Sequence, residues 1–290
     1  MLDFLSHNEA PISDVQWDEI DQTVIEVARR GLVGRRFIEI YGPLGAGAQW
    51  VALDRFDDGE VGGKPGHIDF LGEDGGTALV TASRVNMHIP LIYKDFVLFW
   101  RDVEASRKFN IPLDFSAAAA GAAACARAED EMIFLGYKDK SKQIDYPGLL
   151  TVEGRQSIQH GNWDEPGAVF GDVVKATEKL ASAGHYGPYV MVAPPQIHSK
   201  IHRYVNTTGM MEIEYIRQLA TDGVFFSSVI PENRILVAST GVQNFDLAIG
   251  QDLKTAYLGA QNMNHPFRVF ETIVLRIKRP GAICVIEGKK

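Results

Sequence analysis

The residues best suited to chemistry are two histidines, His198 and His202, spaced four apart. On a helix this spacing puts both imidazoles on one side, the arrangement that zinc sites use. Ser199 follows His198 where a metalloprotease helix would carry its glutamate general base, and the spacing suggests no third ligand. We therefore favour an exposed polar helix face over a small α/β metalloenzyme, and we predict no metal site.

Two further motifs could bind or react, and neither is complete. Gly42 to Gly47 is rich in glycine like a phosphate loop, but no Lys-Ser/Thr pair follows and Trp50 to Leu53 alternates like a strand. Glu129, Asp130 and Glu131 point in different directions if they are helical, so they do not converge on one atom. We expect a turn and structural salt bridges or subunit contacts. Because no serine lies in a G-x-S-x-G elbow, we predict no catalytic residue and no enzyme.

The composition excludes several classes of protein. The 290 residues are 46% hydrophobic and 23% charged, as in an ordinary globular protein. A formal net charge of −8 offers no basic excess for a phosphate backbone, so we expect no nucleic-acid partner. Cys125 and Cys284 stand alone, which indicates buried free thiols in a reducing compartment. With neither a signal peptide nor an apolar stretch of membrane-spanning length, we expect a cytoplasmic protein that does not bind a membrane.

Local patterns predict both helices and strands. Ser13 and Gln16 form a capping-box pattern ahead of an amphipathic helix, and the stretch 36–41 alternates like a strand. Residues from about 44 to 84 are punctuated by glycines and can hardly bury a core of their own, so we predict a β-hairpin arm completed elsewhere, in this subunit or a neighbour. The remaining predicted helices cover about 116–135, 172–183, 195–205 and 212–220, and the remaining strands 49–53, 77–81, 189–193, 235–239, 245–249 and 267–277.

Short motifs along the whole chain share their order and spacing with one protein family. In chain order they are Leu5, Ala10-Pro11-Ile12-Ser13, Trp17 to Asp21, Gly34 to Glu39, Gly42-Pro43, Glu129 to Gly136, Gly148-Leu149-Leu150, Gly187-Pro188-Tyr189, Gly250 to Leu253 and Tyr257. By these motifs the chain resembles the encapsulin shell proteins. The stretch Met263 to Val269 and the glycine-rich arm resemble the larger-shelled, ferritin-associated branch of that family.

The resemblance implies an α+β fold of the tailed-phage major capsid protein type. Its parts would be an N-terminal helix with the first strand of the peripheral domain (1–43), an extended loop (44–84), the peripheral domain with its long spine helix (85–140), an axial domain (141–248) and C-terminal strands of the peripheral domain (249–290). The arm that cannot bury itself would then pair with a neighbouring subunit.

The resemblance also implies a function, that of a protomer that self-assembles into an icosahedral compartment. The shell would enclose ferritin-like or peroxidase cargo recruited by a C-terminal targeting peptide, and iron would be handled by the cargo, so we predict no cofactor for the shell. Some related shells carry a flavin on aromatic residues; Trp100 and Tyr204 lie near the comparable region, but no flavin site is assigned to them.

The family's binding sites carry over to two sets of residues. The implied groove for the targeting peptide has the residues Ala28, Leu32, Arg35, Glu39, Leu253 and Tyr257. The implied five-fold pore is lined by Asn206, Thr207, Thr208, Gly209 and Met210. The alternative is a phage or prophage capsid protein that packages DNA, and the acidic balance favours protein cargo over DNA.

Overall fold

The computed structural model describes residues 4–56, 83–141, 144–205 and 209–288. Most of the predicted arm, including its strand at 77–81, lies outside these residues. The helices are α1 (Asp14–Gly31), α2 (Trp100–Phe109), α3 (Ser116–Phe134), α4 (Ala168–Ser182), α5 (Pro195–Ile201) and α6 (Glu212–Leu219). The strands are β1 (Ile40–Tyr41), β2 (Trp50–Arg55), β3 (Ser83–His88), β4 (Leu91–Leu98), β5 (Gly136–Asp139), β6 (Ile144–Pro147), β7 (Gln156–Gln159), β8 (Tyr189–Ala193), β9 (Gly223–Phe226), β10 (Arg234–Ser239), β11 (Phe245–Tyr257), β12 (His265–Ile277) and β13 (Ile283–Glu287).

A four-stranded sheet carries the two long helices. Its order is β1-β11-β12-β4, with β1 parallel to β11 and the other pairs antiparallel. Helices α1 and α3 cover one face, where Trp17, Ala122 and Phe267 belong to one buried cluster. The predicted capping box of α1 is confirmed, because the Ser13 hydroxyl accepts from the Gln16 N–H and the Gln16 side chain accepts from the Ser13 N–H.

A five-stranded sheet forms the second layer, in the order β7-β13-β10-β8-β9. Helices α4, α5 and α6 pack against it around residues such as Leu180, Ile197 and Ile216. The largest buried cluster joins the two sheets, since it includes Phe245 of the first and Val190 of the second. Two further pairs, β2 with β3 and β5 with β6, form separate hairpins; the first of them is the base of the arm.

Three sequence predictions are wrong at their edges. The stretch 36–39 is not a strand, because Phe37 and Ile38 are consecutive and both buried, which a pleated strand with one solvent face does not allow. Helix α4 begins at Ala168 instead of 172, because Glu212 accepts from the N–H groups of Gly167 and Phe170 and so caps it from a distance. Helix α5 ends at Ile201 instead of 205.

The last strand lies in a different sheet from β11 and β12. It pairs with β10 and β7 in the five-stranded sheet, so the segment 249–290, which we predicted as one part of the peripheral domain, contributes strands to both sheets. Ile283 and Val285 face the core between the sheets, whereas Cys284 and Ile286 face the helices of the second layer. A strand that is apolar on both faces belongs at the inside of a covered sheet.

Candidate functional site

Three of the predicted groove residues meet where α1, α3 and β11 come together. Ala28 and Leu32 form a small apolar cluster with Ala126 of α3, and Leu253 of β11 packs against it. The two helices approach closely at this point, since a Cβ added at Gly31 would lie 3.2 Å from the Cβ of Ala126. The sequence thus places small residues where the two helices cross, with Leu253 of β11 packed beside them.

The residues around this cluster differ in how far their side chains are exposed. Ala28 and Leu32 are only 2% and 8% exposed, because the chain itself covers them. Leu253 is half-buried, and Ile25 on α1 is 41% exposed. Ile25 precedes Leu32 by seven residues, about two helical turns, so the two share a face. Sequence reasoning missed Ile25. The signal that could have identified it is that Ile25 is apolar but is not one of the α1 residues buried in the core.

Tyr257 lies in the adjacent core and not in that small cluster. Its ring packs against Phe267 with centroids 5.1 Å apart, and its hydroxyl is 3.1 Å from Nδ1 of His265. Tyr257 is 7% exposed, and burial raises the pKa of its hydroxyl. The structure therefore places Tyr257 behind the groove, joined to it through Leu253, which contacts both clusters.

Arg35 is the centre of a buried charge cluster that ties four elements together. Its guanidinium donates to Glu129 of α3 through Nε at 2.8 Å and Nη2 at 2.8 Å, and to Glu271 of β12 at 2.6 Å. Nη1 donates to Asp252 of β11 at 2.6 Å. The side chain is 13% exposed. Each of its three nitrogens donates to a carboxylate, so Arg35 ties α3, β11 and β12 together.

The protonation of this cluster follows from burial. Burial opposes the charge of Arg35, but the hydrogen bonds and ion pairs with Glu129 and Glu271 hold its pKa above the ordinary value. Burial raises the pKa of Glu271, and the nearby charge of Glu129 raises it further. Burial alone would raise the pKa of Asp252 as well, but the hydrogen bond from Arg35 keeps the pKa of Asp252 below the ordinary value. Asp252 therefore stays charged, and its side chain is 60% exposed at the rim.

Glu39 lies away from this rim. It immediately precedes β1, and its carbonyl accepts from the N–H of Leu247. Leu247 is five residues from Asp252 along β11, which corresponds to roughly 16 Å at about 3.3 Å per residue. Glu39 is exposed, whereas the carboxylate of Asp252 lies next to Leu253 in the chain and that of Asp21 pairs with Lys254 at 4.0 Å.

The three consecutive carboxylates of α3 diverge as predicted. Glu129 binds Arg35, whereas Glu131 pairs with Arg127 one turn away at 2.9 Å. Asp130 accepts from the N–H groups of Val33 and Gly34 at 3.1 and 3.0 Å, and from the hydroxyl of Ser227. Burial raises the pKa of Asp130 to about 6, against these hydrogen bonds. The cluster is structural and fixes the turn that follows α1.

The predicted pore residues fall mostly outside the described structure. Asn206, Thr207 and Thr208 are not among the described residues, whereas Gly209 has φ of 69° and Met210 is 40% exposed. The ends of this loop are held together by the N–H of Val205, which donates to the carbonyl of Met210 at 3.1 Å. The pore assignment stays a prediction.

The remaining candidates for chemistry do not form a metal site. The rings of His198 and His202 stack at 4.1 Å, and Nδ1 of His202 donates to the carbonyl of His198. In the described ranges, no three or more His, Cys, Asp or Glu side chains are grouped to hold a metal ion. Cys125 and Cys284 are free and buried, and burial raises their thiol pKa values to about 12 and about 11. None of the helices in the part of the chain described is long and apolar enough to cross a membrane.

Comparison with known sequences gives matches over nearly the whole chain. The family model "Encapsulating protein for peroxidase" matches residues 2–274. The Type 1 encapsulin shell protein EncA of Myxococcus xanthus is 50% identical over 99% of this chain and 98% of its own. A diheme-cytochrome-encapsulin shell fusion protein of Kuenenia stuttgartiensis is 43% identical over 97% of this chain and 75% of its own. A ferritin-like-encapsulin shell fusion protein of Pyrococcus furiosus is 27% identical over 48% of this chain and 40% of its own.

Comparison with solved structures shows the fold. A virus-like particle of Pyrococcus furiosus superposes with a TM-score of 0.73 at 20% identity, covering 94% of this chain and 99% of the other. The capsid of the Myoviridae phage XM1 gives a TM-score of 0.62 at 14% identity, covering 89% and 91%. The predicted α+β capsid fold is confirmed by these similarities. Because the sequence identity lies with shell proteins and not with phage capsids, the chain belongs to the encapsulin family of shell proteins.

Proposed function

We propose that this shell subunit encloses a ferritin-like protein that is recruited by a short C-terminal peptide bound beside Leu253. The single observation that supports the proposal is the apolar cluster of Ala28, Leu32 and Ala126, with half-buried Leu253 packed against it and the exposed carboxylate of Asp252 next to Leu253. The shell would act as a container and a filter, and iron would be the substrate of the cargo. No residue of the shell is assigned to catalysis.

The chemistry of this surface defines the peptide that it would bind. Leu253 and Ile25 offer apolar surface, and burial of apolar surface stabilises a complex by about 25 cal/mol per Å². Asp252 adds one negative charge beside Leu253, while each of the three nitrogens of Arg35 behind it already donates to a carboxylate. A peptide with two aliphatic residues followed by a lysine or arginine would match this surface, the aliphatic residues giving affinity and the cation selecting register.

The nature of the cargo is supported by the relatives that carry a second protein in the same chain. One is named as a fusion with a ferritin-like protein and another as a fusion with a diheme cytochrome. The sequence resemblance to the ferritin-associated branch favours the first. The loop from 206 to 210 is proposed to ring the five-fold axis, where small polar side chains would pass ions and exclude proteins.

The test separates assembly from capture. The chain is expressed alone and then with a fluorescent protein that carries the C-terminal tail of a ferritin-like protein from the same genome, and particles are examined by size-exclusion chromatography and negative-stain microscopy. We expect hollow particles in both cases and fluorescence inside only with the tail. A stable monomer or dimer of native fold would contradict the shell function. Equal fluorescence from a tail-less cargo would contradict peptide recruitment.

A further inference from the structure

A buried arginine of the four-stranded sheet donates a hydrogen bond to the first strand of the arm. Arg276 of β12 donates through Nε and Nη2 to both carboxylate oxygens of Asp246, each at 2.7 Å, and its third nitrogen, Nη1, donates to the carbonyl of Ala52 in β2 at 2.9 Å. Its guanidinium carbon lies 4.0 Å from the ring centroid of Tyr41. The side chains of Arg276 and Asp246 are 9% and 3% exposed.

The residues around Arg276 fix the direction in which its Nη1 group donates. Asp246 lies directly opposite Arg276 in the ladder between β11 and β12, and Lys278 also donates to it at 2.7 Å. A planar guanidinium that is bidentate on one side and stacked on a ring has no remaining freedom to turn. The carbonyl of Ala52 must therefore lie at one position relative to the sheet to keep its hydrogen bond, because such bonds weaken steeply with distance and angle.

Among the described residues, the other contacts between the arm and the sheet include two backbone hydrogen bonds and one apolar cluster. The N–H groups of Leu44 and Gly45 donate to the carbonyls of Ile249 and Gly250 at 2.8 and 2.9 Å, which fixes the chain before β2 begins. In β2 itself, Val51 packs with Ala248 and Val274, and such apolar contacts are non-directional. The hydrogen bond from Arg276 to Ala52 therefore adds, within β2, the direction that the apolar cluster does not.

We propose that Arg276 is the positioning residue that sets the angle of the arm to the sheet, and through it the curvature at which neighbouring subunits join. The inference rests on the proposed self-assembly, since a closed shell needs each joint to repeat at a fixed angle. The same strand offers a control. Arg268 is bidentate to Asp95 at 2.6 and 2.8 Å, and its guanidinium carbon lies 3.9 Å from the Tyr93 ring centroid, so it repeats the ion pair and the ring contact of Arg276 with partners on β4. Its side chain is 30% exposed, against 9% for Arg276.

The experiment compares Arg276→Met, Arg276→Lys and Arg268→Met with the unaltered protein. Particle diameters are measured by electron microscopy, and hydrogen exchange is measured on the peptides that cover β2. For both changes at Arg276 we expect faster exchange in β2 and a broader distribution of diameters or incomplete shells. For Arg268→Met we expect the unaltered diameter and unaltered exchange in β2. The lysine variant keeps a positive charge beside Asp246 but lacks the planar guanidinium that donates to both Asp246 and Ala52. It therefore tests the positioning role even if the methionine variant does not fold.

The outcomes are distinct from those that test the shell function itself. If the unaltered protein forms no particles, the proposed function fails and the inference falls with it. If the unaltered protein forms closed particles and the Arg276 variants match it in diameter and in β2 exchange, the positioning role is wrong while the shell function stands. The inference is also wrong if Arg268→Met broadens the diameters as much as Arg276→Met, since loss of any ion-paired arginine on β12 would then suffice.

Discussion

The groove is best tested by changing Leu253, the half-buried residue that joins α1 to β11. Leu253→Ala removes apolar surface from the contact with the peptide while leaving Ala28 and Leu32 in place. Leu253→Asp puts a carboxylate in the same position. Leu253 is only partly covered by its own chain, so both variants are expected to fold and to assemble.

The magnitude follows from the area that a peptide could still cover. Burying a whole leucine side chain is worth roughly 1.5–3 kcal/mol, so the exposed half of Leu253 supplies about 1 kcal/mol. Losing it in Leu253→Ala weakens peptide binding by about fivefold, at about 1.4 kcal/mol per tenfold. The aspartate variant adds the cost of burying a carboxylate against aliphatic side chains, about 2 kcal/mol or more. Capture should then fall by more than about a hundredfold.

The assay is the amount of tailed fluorescent cargo per purified shell, together with peptide affinity measured by fluorescence polarisation on empty shells. Val15→Asp is the control: it also puts an aspartate in place of an aliphatic residue, on α1, at a residue that is 68% exposed and lies about five turns before Leu32. Full capture by Leu253→Asp shells would refute the placement of the groove. Equal loss of capture in both variants would show that an added charge away from the groove is sufficient.

Three further predictions concern the elements that shape the groove. Arg35→Met leaves Glu129 and Glu271 buried without their cation and should lower the free energy of unfolding by about 3–5 kcal/mol; a change below about 1 kcal/mol in denaturant unfolding would contradict the structural role of the cluster. Asp130 has a pKa raised from 3.8 to about 6, so its folded form holds the proton more tightly. That stabilisation is complete below about pH 4 and is lost as the pH rises through about 6, at about 1.4 kcal/mol per pH unit, or about 3 kcal/mol. The unfolding midpoint of the unaltered protein should therefore fall relative to Asp130→Asn between pH 4 and pH 7, and a constant difference would show that the pKa is not raised. Gly136→Ala should not yield folded protein, because φ is +79° and the new Cβ would meet backbone atoms of Tyr146 and Gly148, which expression and circular dichroism would report.

The parts of the fold that sequence predicted well are those that depend on neighbouring residues. The capping box at Ser13 and the alternation along β12 are local patterns, and both are present in the structure. The ends of α4 and the sheet partner of β13 were not predictable in this way. Glu212 caps α4 from 45 residues away, and β13 pairs with strands whose places depend on the whole chain.

The residues of the proposed groove were likewise only partly predictable from the sequence. The resemblance identified Leu32 and Leu253, and the structure brings them together. It did not identify the partners of Arg35, because Glu129 and Glu271 lie 94 and 236 residues from it along the chain. The sequence did contain one signal. Glu271 is an even number of residues from Phe267 and Ile273, so on β12 its carboxylate points to the same face of the sheet as these apolar side chains. A charge at such a position needs a buried partner.

The buried charges explain how so small an apolar cluster keeps its shape. Ala28, Leu32 and Ala126 provide little area to hold α1 against α3 and β11. Arg35 supplies directional contacts instead, to Glu129 on α3 and Asp252 on β11. Replacing such a cluster by apolar residues can leave stability unchanged while losing the fixed arrangement. In the proposed groove, the ion pairs of Arg35 would set the distance between α3 and β11, and apolar surface would supply the affinity. Arg35 already donates to Oδ1 of Asp252. A basic residue in the proposed targeting peptide would pair with the other carboxylate oxygen of Asp252.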